Sequence, residues 1–459
     1  MKEITNPKIH FLGGVKEVEG ACYLVECNGE KILVECGLRQ GPGVDRNNQQ
    51  FPFDPKEIKA VIITHAHIDH TGRLPLLYRN GFRGKIYSTP PTHDFADLLL
   101  LDAQHLAEEN ADRDKTEVMY SLDDVQKVSG IWEDIEYYKE FEISPNFSFV
   151  FYNAGHILGS AIVMLKIHKS PDKLVKIVFS GDLGNSFNLL LPESDLLTEG
   201  DYCLIESAYG DRLHNEPERR KDMLEDAIED TISKDGVVMI PAFAMERTQE
   251  ILFELDELVN NHRIPQVPVF IDSPLAIRLT GVYEKYLSYL RLDAFKVAGK
   301  TDNFFEFPGL HFTLTTEESK AINDVPAPKI IVAGAGSSQG GRILHHEKRY
   351  LPGPNNTLLI VAYQMAGSLG RRLVDGEKLV TIHGERIEVE AKIIQISAYS
   401  AHADQNMLLD WVKPLRFSLK KVFVVQGEEQ ASNTLAQKIE DLFGLNASVP
   451  SFGDVVELV

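Results

Sequence analysis

The sequence predicts an α/β protein in which one α/β domain interrupts another. Strand-like segments dominate residues 22–205, whereas helix and strand begin to alternate regularly after about residue 210. Such alternation is typical of a parallel sheet covered by helices. From about residue 378 the chain returns to β-rich sequence. We therefore predict one domain formed by residues 1–209 and 385–459, and an inserted domain formed by residues 210–384.

The first part of the chain contains a predicted β-hairpin. Residues 22–25 and 31–34 flank Asn28-Gly29, a strong signal for a tight turn between two strands. Further strands are predicted at residues 147–152, 161–167, 176–179 and 202–205. Helices are predicted at residues 72–77, 95–109 and 121–132. In the last of these, Ser121 and Asp124 are placed as a capping box.

The inserted domain is predicted from alternating segments. Its helices are expected at residues 216–233, 246–261 and 342–350. Its strands are expected at residues 236–241, 267–271, 329–333 and 357–362. The last part of the chain is predicted to add a helix at 403–412, a strand at 421–425 and a helix at 430–443.

The composition excludes several classes of protein. The net charge is −21, from 47 basic and 68 acidic residues, which argues against nonspecific nucleic-acid binding through a broad basic surface. No segment reaches the apolar length of a membrane span, and the N-terminus lacks an apolar signal core. Four cysteines without a C-x-x-C pair are expected to be buried thiols. We therefore expect a cytosolic protein without a membrane anchor.

The most informative motif is the run from Thr64 to Gly72. It follows an apolar strand at residues 60–63 and contains four side chains that can bind metal, namely His65, His67, Asp69 and His70. Imidazole and carboxylate suit zinc, and three ligands can leave a position open for water. Four ligands in six residues exceed the needs of one catalytic ion, so the motif predicts two metals. The alternative, a polar turn with surface histidines, is disfavoured because this pattern rarely arises by chance.

Two later positions are candidates for further ligands. His156 follows the strand at 147–152, and Asp182 follows the strand at 176–179, each beside a glycine. Ligands at strand ends beside glycine can be brought close to a metal because the backbone turns tightly there. Each residue alone has a plain structural explanation, but together with the first motif they predict one metal centre.

The order of these motifs resembles the metallo-β-lactamase superfamily, whose domain is an αββα sandwich. Residues 206–212, Glu-Ser-Ala-Tyr-Gly-Asp-Arg, and residues 400–404, Ser-Ala-His-Ala-Asp, resemble two motifs of the β-CASP branch of RNA-processing and DNA-repair nucleases. Residues 340–346 and 363–371 are similar to segments of bacterial and archaeal RNA-processing members and of the cleavage-and-polyadenylation endonuclease subunit. The resemblance implies a metallo-β-lactamase domain interrupted by a β-CASP domain with a mostly parallel sheet.

The resemblance also implies roles for individual residues. One metal would be bound by His65, His67 and His156, the other by Asp69 and His70, with Asp182 bridging. Two such cations would activate a water and neutralise phosphate oxygens. His402 would protonate the leaving oxygen, and Glu206 would orient His402.

The sequence departs from the family pattern at two positions. Glu35 stands where family members usually carry an aspartate that supports a metal-bound histidine. Gln426 stands where RNA-processing members carry a histidine ligand of the second metal, whereas DNA-repair members lack that histidine. An amide oxygen is a harder and weaker donor than imidazole. We therefore expect zinc at the first site, and reduced occupancy or a preference for manganese at the second.

The expected activity is that of a metal-dependent RNA phosphodiesterase, with endonuclease and 5′-exonuclease action both open. A small-ester or thioester hydrolase and a non-catalytic scaffold are the alternatives. Ser337 and Ser338, in a glycine-rich loop, and Arg371 are candidates for contacts to the RNA backbone. A plain turn explains the glycine-rich loop equally well, and a solvated basic residue is the ordinary explanation for Arg371. RNA is the expected partner, and a homodimer is one expected assembly.

Overall fold

The computed structural model describes residues 6–39, 44–115, 117–170, 172–214, 219–291, 305–362, 364, 367–396 and 399–459. Residues 363, 365 and 366 of the segment 363–371, and residues 216–218 of the predicted helix 216–233, lie outside this description. The chain folds into two compact units. The first comprises the described residues of Met1–Ser186, Pro192–Leu213 and His402–Val459, and the second those of Phe187–Leu191 and His214–Ala401.

Eleven strands are described before residue 214. They are β1 (Lys8–Gly13), β2 (Cys22–Cys27), β3 (Glu30–Val34), β4 (Ile58–Ile62), β5 (Lys85–Ser88), β6 (Trp132–Asp134), β7 (Glu140–Ser144), β8 (Phe147–Asn153), β9 (Ala161–Ser170), β10 (Lys173–Phe179) and β11 (Tyr202–Glu206). The α-helices described in this part are Ile68–Thr71, Leu74–Arg79, Pro90–Asp114 and Leu122–Ser129, and the short 3-10 helices are Val44–Asn48 and Pro55–Glu57.

The second unit contains eight described strands. They are β12 (Val237–Pro241), β13 (Val269–Asp272), β14 (Leu310–Phe312), β15 (Lys329–Ala333), β16 (Thr357–Ile360), β17 (Leu379–Ile382), β18 (Glu385–Glu388) and β19 (Lys392–Gln395). Its described α-helices are Arg220–Ile232, Arg247–Asn260, Pro274–Lys285, Thr316–Ala321, Ile343–Tyr350 and Leu369–Val374, with 3-10 helices at Leu287–Tyr289 and Ile322–Asp324.

The chain then completes the first unit. This last part contains the strands β20 (Lys421–Val425), β21 (Ala447–Ser448) and β22 (Val455–Glu457). Its helices are Gln405–Val412, the 3-10 helix Lys413–Phe417, and Glu429–Phe443.

Two seven-stranded mixed sheets form the first unit, in the orders β22-β1-β2-β3-β4-β5-β6 and β21-β20-β11-β10-β9-β8-β7. Their facing sides share one apolar core. The rings of Phe11 and Phe423, one from each sheet, have centroids 5.0 Å apart. Leu408 and Leu435, from the last two α-helices, belong to a second core on the other face of the second sheet. This is the sandwich architecture that the sequence predicted.

Strand direction brings the candidate site residues to one edge of the second sheet. β8 and β10 are both antiparallel to β9, while β10, β11 and β20 are mutually parallel. These four strands therefore run in the same direction. Their carboxyl ends lead to His156, Asp182, Glu206 and Gln426, respectively. In the other sheet, the carboxyl end of β4 leads to His65.

The second unit contains a six-stranded parallel sheet in the order β14-β13-β15-β12-β16-β19. Its central strands β12, β13, β15 and β16 are buried along their whole length. Such strands need cover on both faces, which explains why their sequences are mostly apolar. β17 and β18 form a separate antiparallel hairpin. The prediction of an inserted α/β domain with a mostly parallel sheet is confirmed.

Most predicted elements are present, with shifted ends. The β2–β3 hairpin is confirmed, and so is the capping box of Ser121 with Asp124. The prediction of a helix beginning at Gly72 is wrong, since two helices occupy this region and Gly72 lies between them. The helix expected from Ala403 begins instead at Gln405, because the side chain of Asp404 caps it.

The chain passes from the first unit to the second after Leu213 and returns to the first unit after Ala401. The sequence analysis placed these boundaries after residues 209 and 384. The second difference has a physical reason. β19 lies beyond residue 384, but it pairs in parallel with β16 and so extends the sheet of the second unit. The assignment of residues 385–459 to the first domain stays a prediction.

Candidate metal centre

The first motif forms a tight turn followed by one turn of helix. His67 is the residue before the helix Ile68–Thr71, and its carbonyl accepts the backbone N–H of His70 at 2.9 Å. The hydroxyl of Thr71 donates to the carbonyls of Ala66 and His67 at 3.2 and 3.0 Å. This turn places His67 just before the helix and His70 within it, so their side chains extend from the backbone in different directions.

Three histidines and one aspartate converge in the first unit. The ligand atoms of His65, His67, His156 and Asp182 all lie within 4.8 Å of one another. Nδ1 of His67 lies 3.1 Å from Nε2 of His65 and 3.2 Å from Nε2 of His156. Oδ2 of Asp182 lies 3.5 Å from Nε2 of His65. The sequence predicted these four residues as ligands of a common centre, and the structure brings them together.

Burial favours the neutral form of the His65 and His67 imidazoles. Desolvation lowers the pKa of His67 to about 4 and holds that of His65 well below its ordinary value. Desolvation also raises the pKa of Asp182 to about 7. Neutral imidazoles have a lone pair for a metal, and a buried carboxylate gains most from a nearby cation. Three imidazoles and a carboxylate therefore fit a divalent metal ion.

Close backbone contact brings the loops of His156 and Asp182 together. Gly184 donates its N–H to the carbonyl of Ala154 at 2.9 Å. A Cβ on Gly184 would lie 1.8 Å from the carbonyl oxygen of Gly155, which itself has a φ of +68°. Only glycine at both positions lets the two loops approach this closely. The glycines beside the predicted ligands therefore have the role that the sequence suggested.

Thr64 is a supporting residue that the sequence analysis missed. Its hydroxyl lies 3.0 Å from Nδ1 of His65, and its backbone N–H donates to Oε1 of Glu35 at 3.2 Å. A hydrogen bond at Nδ1 orients the ring and directs Nε2 towards the other ligands. Its position directly before His65 was the available signal.

The second predicted metal position contains Asp69, His70 and Gln426. Nε2 of His70 lies 3.7 Å from Oδ2 of Asp69 and 3.5 Å from Oδ1 of Asp182. The amide nitrogen of Gln426 lies 3.1 Å from the same Nε2. Nδ1 of His70 lies 3.5 Å from Oε1 of Glu35, so the longer glutamate reaches the histidine that the sequence expected it to support.

His402 and Glu206 form a pair beside the cluster. Nδ1 of His402 lies 3.3 Å from Oε1 of Glu206 and 3.9 Å from Oδ2 of Asp182. Glu206 is fully buried and accepts the backbone N–H groups of Leu183 at 2.6 Å and Ala208 at 3.2 Å. Burial alone would lower the pKa of His402, but the Glu206 carboxylate outweighs it and the pKa rises to about 9. The Glu206 carboxylate therefore favours the protonated form of His402.

The remaining candidates lie in the second unit. Ser338 is buried, its hydroxyl donates to Glu347, and its backbone N–H donates to the carbonyl of Ala335 at 3.0 Å. The Ser337 carbonyl accepts the N–H of Gly370 at 3.3 Å. Arg371 forms an exposed ion pair with Asp375 at 3.0 Å. These bonds stabilise the glycine-rich loop. The backbone N–H of Ser338 donates its hydrogen bond within the loop, to the carbonyl of Ala335.

Within the described part of the chain, no helix is both long enough and apolar enough to cross a membrane. All four cysteines are buried and unpaired, as expected.

Three family profiles match successive parts of the chain. They are described as "Metallo-beta-lactamase superfamily domain" for residues 24–201, "Beta-Casp domain" for residues 248–373 and "Zn-dependent metallo-hydrolase RNA specificity domain" for residues 386–450.

Several curated proteins are similar over nearly the whole chain. Ribonuclease TTHA0252 of Thermus thermophilus is 38% identical over 448 residues, which cover 97% of this chain and 98% of that protein. An RNase J-like protein of Methanocaldococcus jannaschii is 32% identical over 98% of this chain and 99% of its own length. The transcription termination factor FttA of Methanosarcina mazei is 31% identical over 94% of this chain but 68% of its own length.

A solved structure of a protein of unknown function from Enterococcus faecalis V583 shares the fold, with a TM-score of 0.57 and 11% identity. The structural alignment covers 99% of this chain and 100% of the chain of that protein.

Proposed function

Because the chain belongs to the β-CASP branch of the metallo-β-lactamase superfamily, we propose that it is a metal-dependent ribonuclease. The observation that carries this proposal is the pair of His402 and Glu206 beside the cluster of His67, His156 and Asp182. A group of metal-binding side chains alone is common to many classes of hydrolase and does not indicate the substrate. A protonated imidazole next to it supplies the proton that an alkoxide leaving group requires.

A divalent metal bound by His65, His67, His156 and Asp182 would lower the pKa of water and neutralise charge on the phosphate. The protein side chains then have separate tasks. His402 holds its proton at Nε2, because Nδ1 faces Glu206. As the bond between phosphorus and the leaving oxygen breaks, the oxygen takes this proton and the bonding electrons. The Glu206 carboxylate keeps His402 charged until that moment.

We further propose zinc at the first position and a second, weaker position formed by Asp69, His70 and Asp182. Support for the second position comes from the convergence of these side chains on Nε2 of His70. A cytosolic location, which the buried thiols support, and a homodimer stay predictions. Chromatography coupled to light scattering would measure the oligomeric state.

The test is cleavage of end-labelled RNA carrying either a 5′-phosphate or a 5′-hydroxyl, with zinc or manganese added to the metal-free protein. We expect metal-dependent products, and the ladder distinguishes internal cleavage from 5′-to-3′ degradation. His67→Ala should abolish cleavage and reduce bound metal. His402→Ala should lower cleavage about a hundredfold or more with metal retained and leave a measurable residual rate, while His105→Ala, an exposed helix residue, should change neither.

Two results would contradict the proposal. Hydrolysis of a generic thioester without cleavage of RNA would favour a small-ester hydrolase. Absence of cleavage with any divalent metal, although metal is bound, would favour a scaffold without catalytic activity.

A further inference from the structure

The ring of Tyr209 stacks against the imidazole of His402. Their centroids are 6.2 Å apart and their planes differ by 23°. The guanidinium of Arg212 lies 5.6 Å from the centroid of the same tyrosine ring. Both distances lie within the ranges of favourable ring stacking and cation–π contact. We propose that Tyr209 is a positioning residue that fixes the tilt of His402 for proton transfer, an inference that rests on the proposed ribonuclease function.

His402 needs more than its hydrogen bond to be held in one orientation. The contact between Nδ1 and Glu206 fixes one atom of the ring. The ring of His156, with its centroid 4.6 Å away, meets the imidazole at 44° rather than in a parallel stack, so the imidazole can still tilt about Nδ1. The His402 side chain is 24% exposed, so close packing on all sides does not hold it. The near-parallel contact with Tyr209 restricts this tilt, since a rotated ring would lose the stack.

The turn that carries Tyr209 is itself tied to the segment of His402. Gln405, three residues after His402, donates its backbone N–H to the carbonyl of Arg212 at 3.1 Å and its side-chain amide to the carbonyl of Gly210 at 2.6 Å. A Cβ on Gly210 would lie 2.6 Å from the backbone oxygen of Ala431, so the turn also packs tightly on the last helix. These contacts fix the distance between the two rings.

The chemical consequence concerns the leaving group. A water oxygen forms a new bond to phosphorus and releases its proton to solvent. His402 transfers the proton from Nε2 to the leaving oxygen, whose bond to phosphorus breaks with both electrons remaining on oxygen, and solvent then reprotonates the imidazole. A misdirected N–H slows this step strongly when the leaving group is a ribose alkoxide. A p-nitrophenolate leaves without a proton, so its release does not depend on the orientation of His402.

The experiment compares RNA with bis(p-nitrophenyl) phosphate as substrates. Tyr209→Leu should lower kcat on RNA about tenfold or more but change hydrolysis of the p-nitrophenyl ester by about threefold at most. Tyr209→Phe, which keeps the ring, should retain RNA cleavage. The control is Tyr78→Leu, which removes a tyrosine ring that also contacts an arginine. The guanidinium carbon of Arg83 lies 4.1 Å from the centroid of the Tyr78 ring, and neither residue belongs to the candidate metal centre. Bound metal and the urea midpoint report that each variant is folded.

A double variant tests the inference with RNA alone. If Tyr209 acts through His402, Tyr209→Leu should cause no further loss in the His402→Ala background. Equal losses on both substrates, or a full additional loss in that background, would overturn the proposal. A wild-type protein that cleaves no RNA would instead contradict the proposed function.

Discussion

The side-chain amide nitrogen of Gln426 lies 2.8 Å from Oδ1 of Asp182 and 3.1 Å from Nε2 of His70. An amide NH₂ group donates hydrogen bonds and has no lone pair for a metal. It therefore contacts the same two atoms that a second metal would use. To become a ligand, the amide must rotate to present its oxygen and lose both contacts. We therefore expect Gln426 to weaken the proposed second metal position in two ways.

Gln426→His should increase the amount of metal that the protein retains. An imidazole can bind the second ion directly, and it removes the competing amide donor. We expect about one tightly held equivalent in the wild-type protein after dialysis and about two in the variant, by elemental analysis. Asp69→Ala in the Gln426→His background should return the value to about one. Two tightly held zinc ions in both proteins would contradict this prediction.

Glu35→Gln should weaken the second metal position more than the first. The carboxylate lies 3.5 Å from Nδ1 of His70, and removing the charge of a supporting carboxylate typically lowers metal affinity about ten- to a hundredfold. Titration of the metal-free protein with manganese or zinc measures the two affinities. The prediction would fail if the tight first site lost affinity by the same factor, since that would indicate a general loss of structure.

The convergence of the candidate metal ligands could be predicted from the sequence because these residues follow strands. A strand end fixes where the next two or three residues lie, so His65, His156 and Asp182 were recognisable from apolar runs and adjacent glycines. The sheet brings these strand ends to one edge because β8, β10, β11 and β20 run in the same direction. That direction depends on pairing between distant strands, which no local sequence pattern predicts.

Contacts between distant residues explain what the sequence did not predict. The stack of Tyr209 on His402 depends on a turn and a helix start that are almost two hundred residues apart, and neither residue type signals the contact. The helix start at Gly72 was misplaced for a local reason. The metal motif itself forms a helical turn, Ile68–Thr71, which a hydrophobic pattern does not reveal because three of its four side chains are polar.

A buried charge network should dominate the stability of the second unit. Nε of Arg220 lies 3.1 Å from Oε1 of Glu254, and its Nη2 lies 3.5 Å from Oε1 of Glu250. All three side chains are at least 95% buried. Removing one partner of a buried ion pair leaves a charge without compensation.

Arg220→Met should therefore lower the free energy of unfolding by about 3 to 5 kcal/mol. The matched control is Arg372→Met in the same unit, whose pair with Glu377 at 2.6 Å is about 40% exposed on each side. Solvent screens an exposed pair, so Arg372→Met should lower the free energy of unfolding much less than Arg220→Met does. Urea denaturation of both variants measures the difference, and equal losses would show that burial does not set the strength of the Arg220 network.

Glu347 provides a prediction about pH. Its side chain is buried in the second unit beside the Ser338 hydroxyl, and burial raises its pKa from 4.5 to about 7. The folded protein therefore binds the Glu347 proton more tightly than the unfolded chain does. This contribution to stability is complete below pH 4.5 and is lost as the pH rises through 7.

Glu347→Gln should remove this pH dependence, because a neutral amide keeps an oxygen acceptor for Ser338 without a charge to bury. At pH 5 the variant and the wild type should unfold at similar urea concentrations, since Glu347 is neutral in the folded protein. At pH 8 the wild type must bury a carboxylate, so the variant should be more stable by up to about 3 kcal/mol. A stability difference that is the same at both pH values would contradict the raised pKa of Glu347.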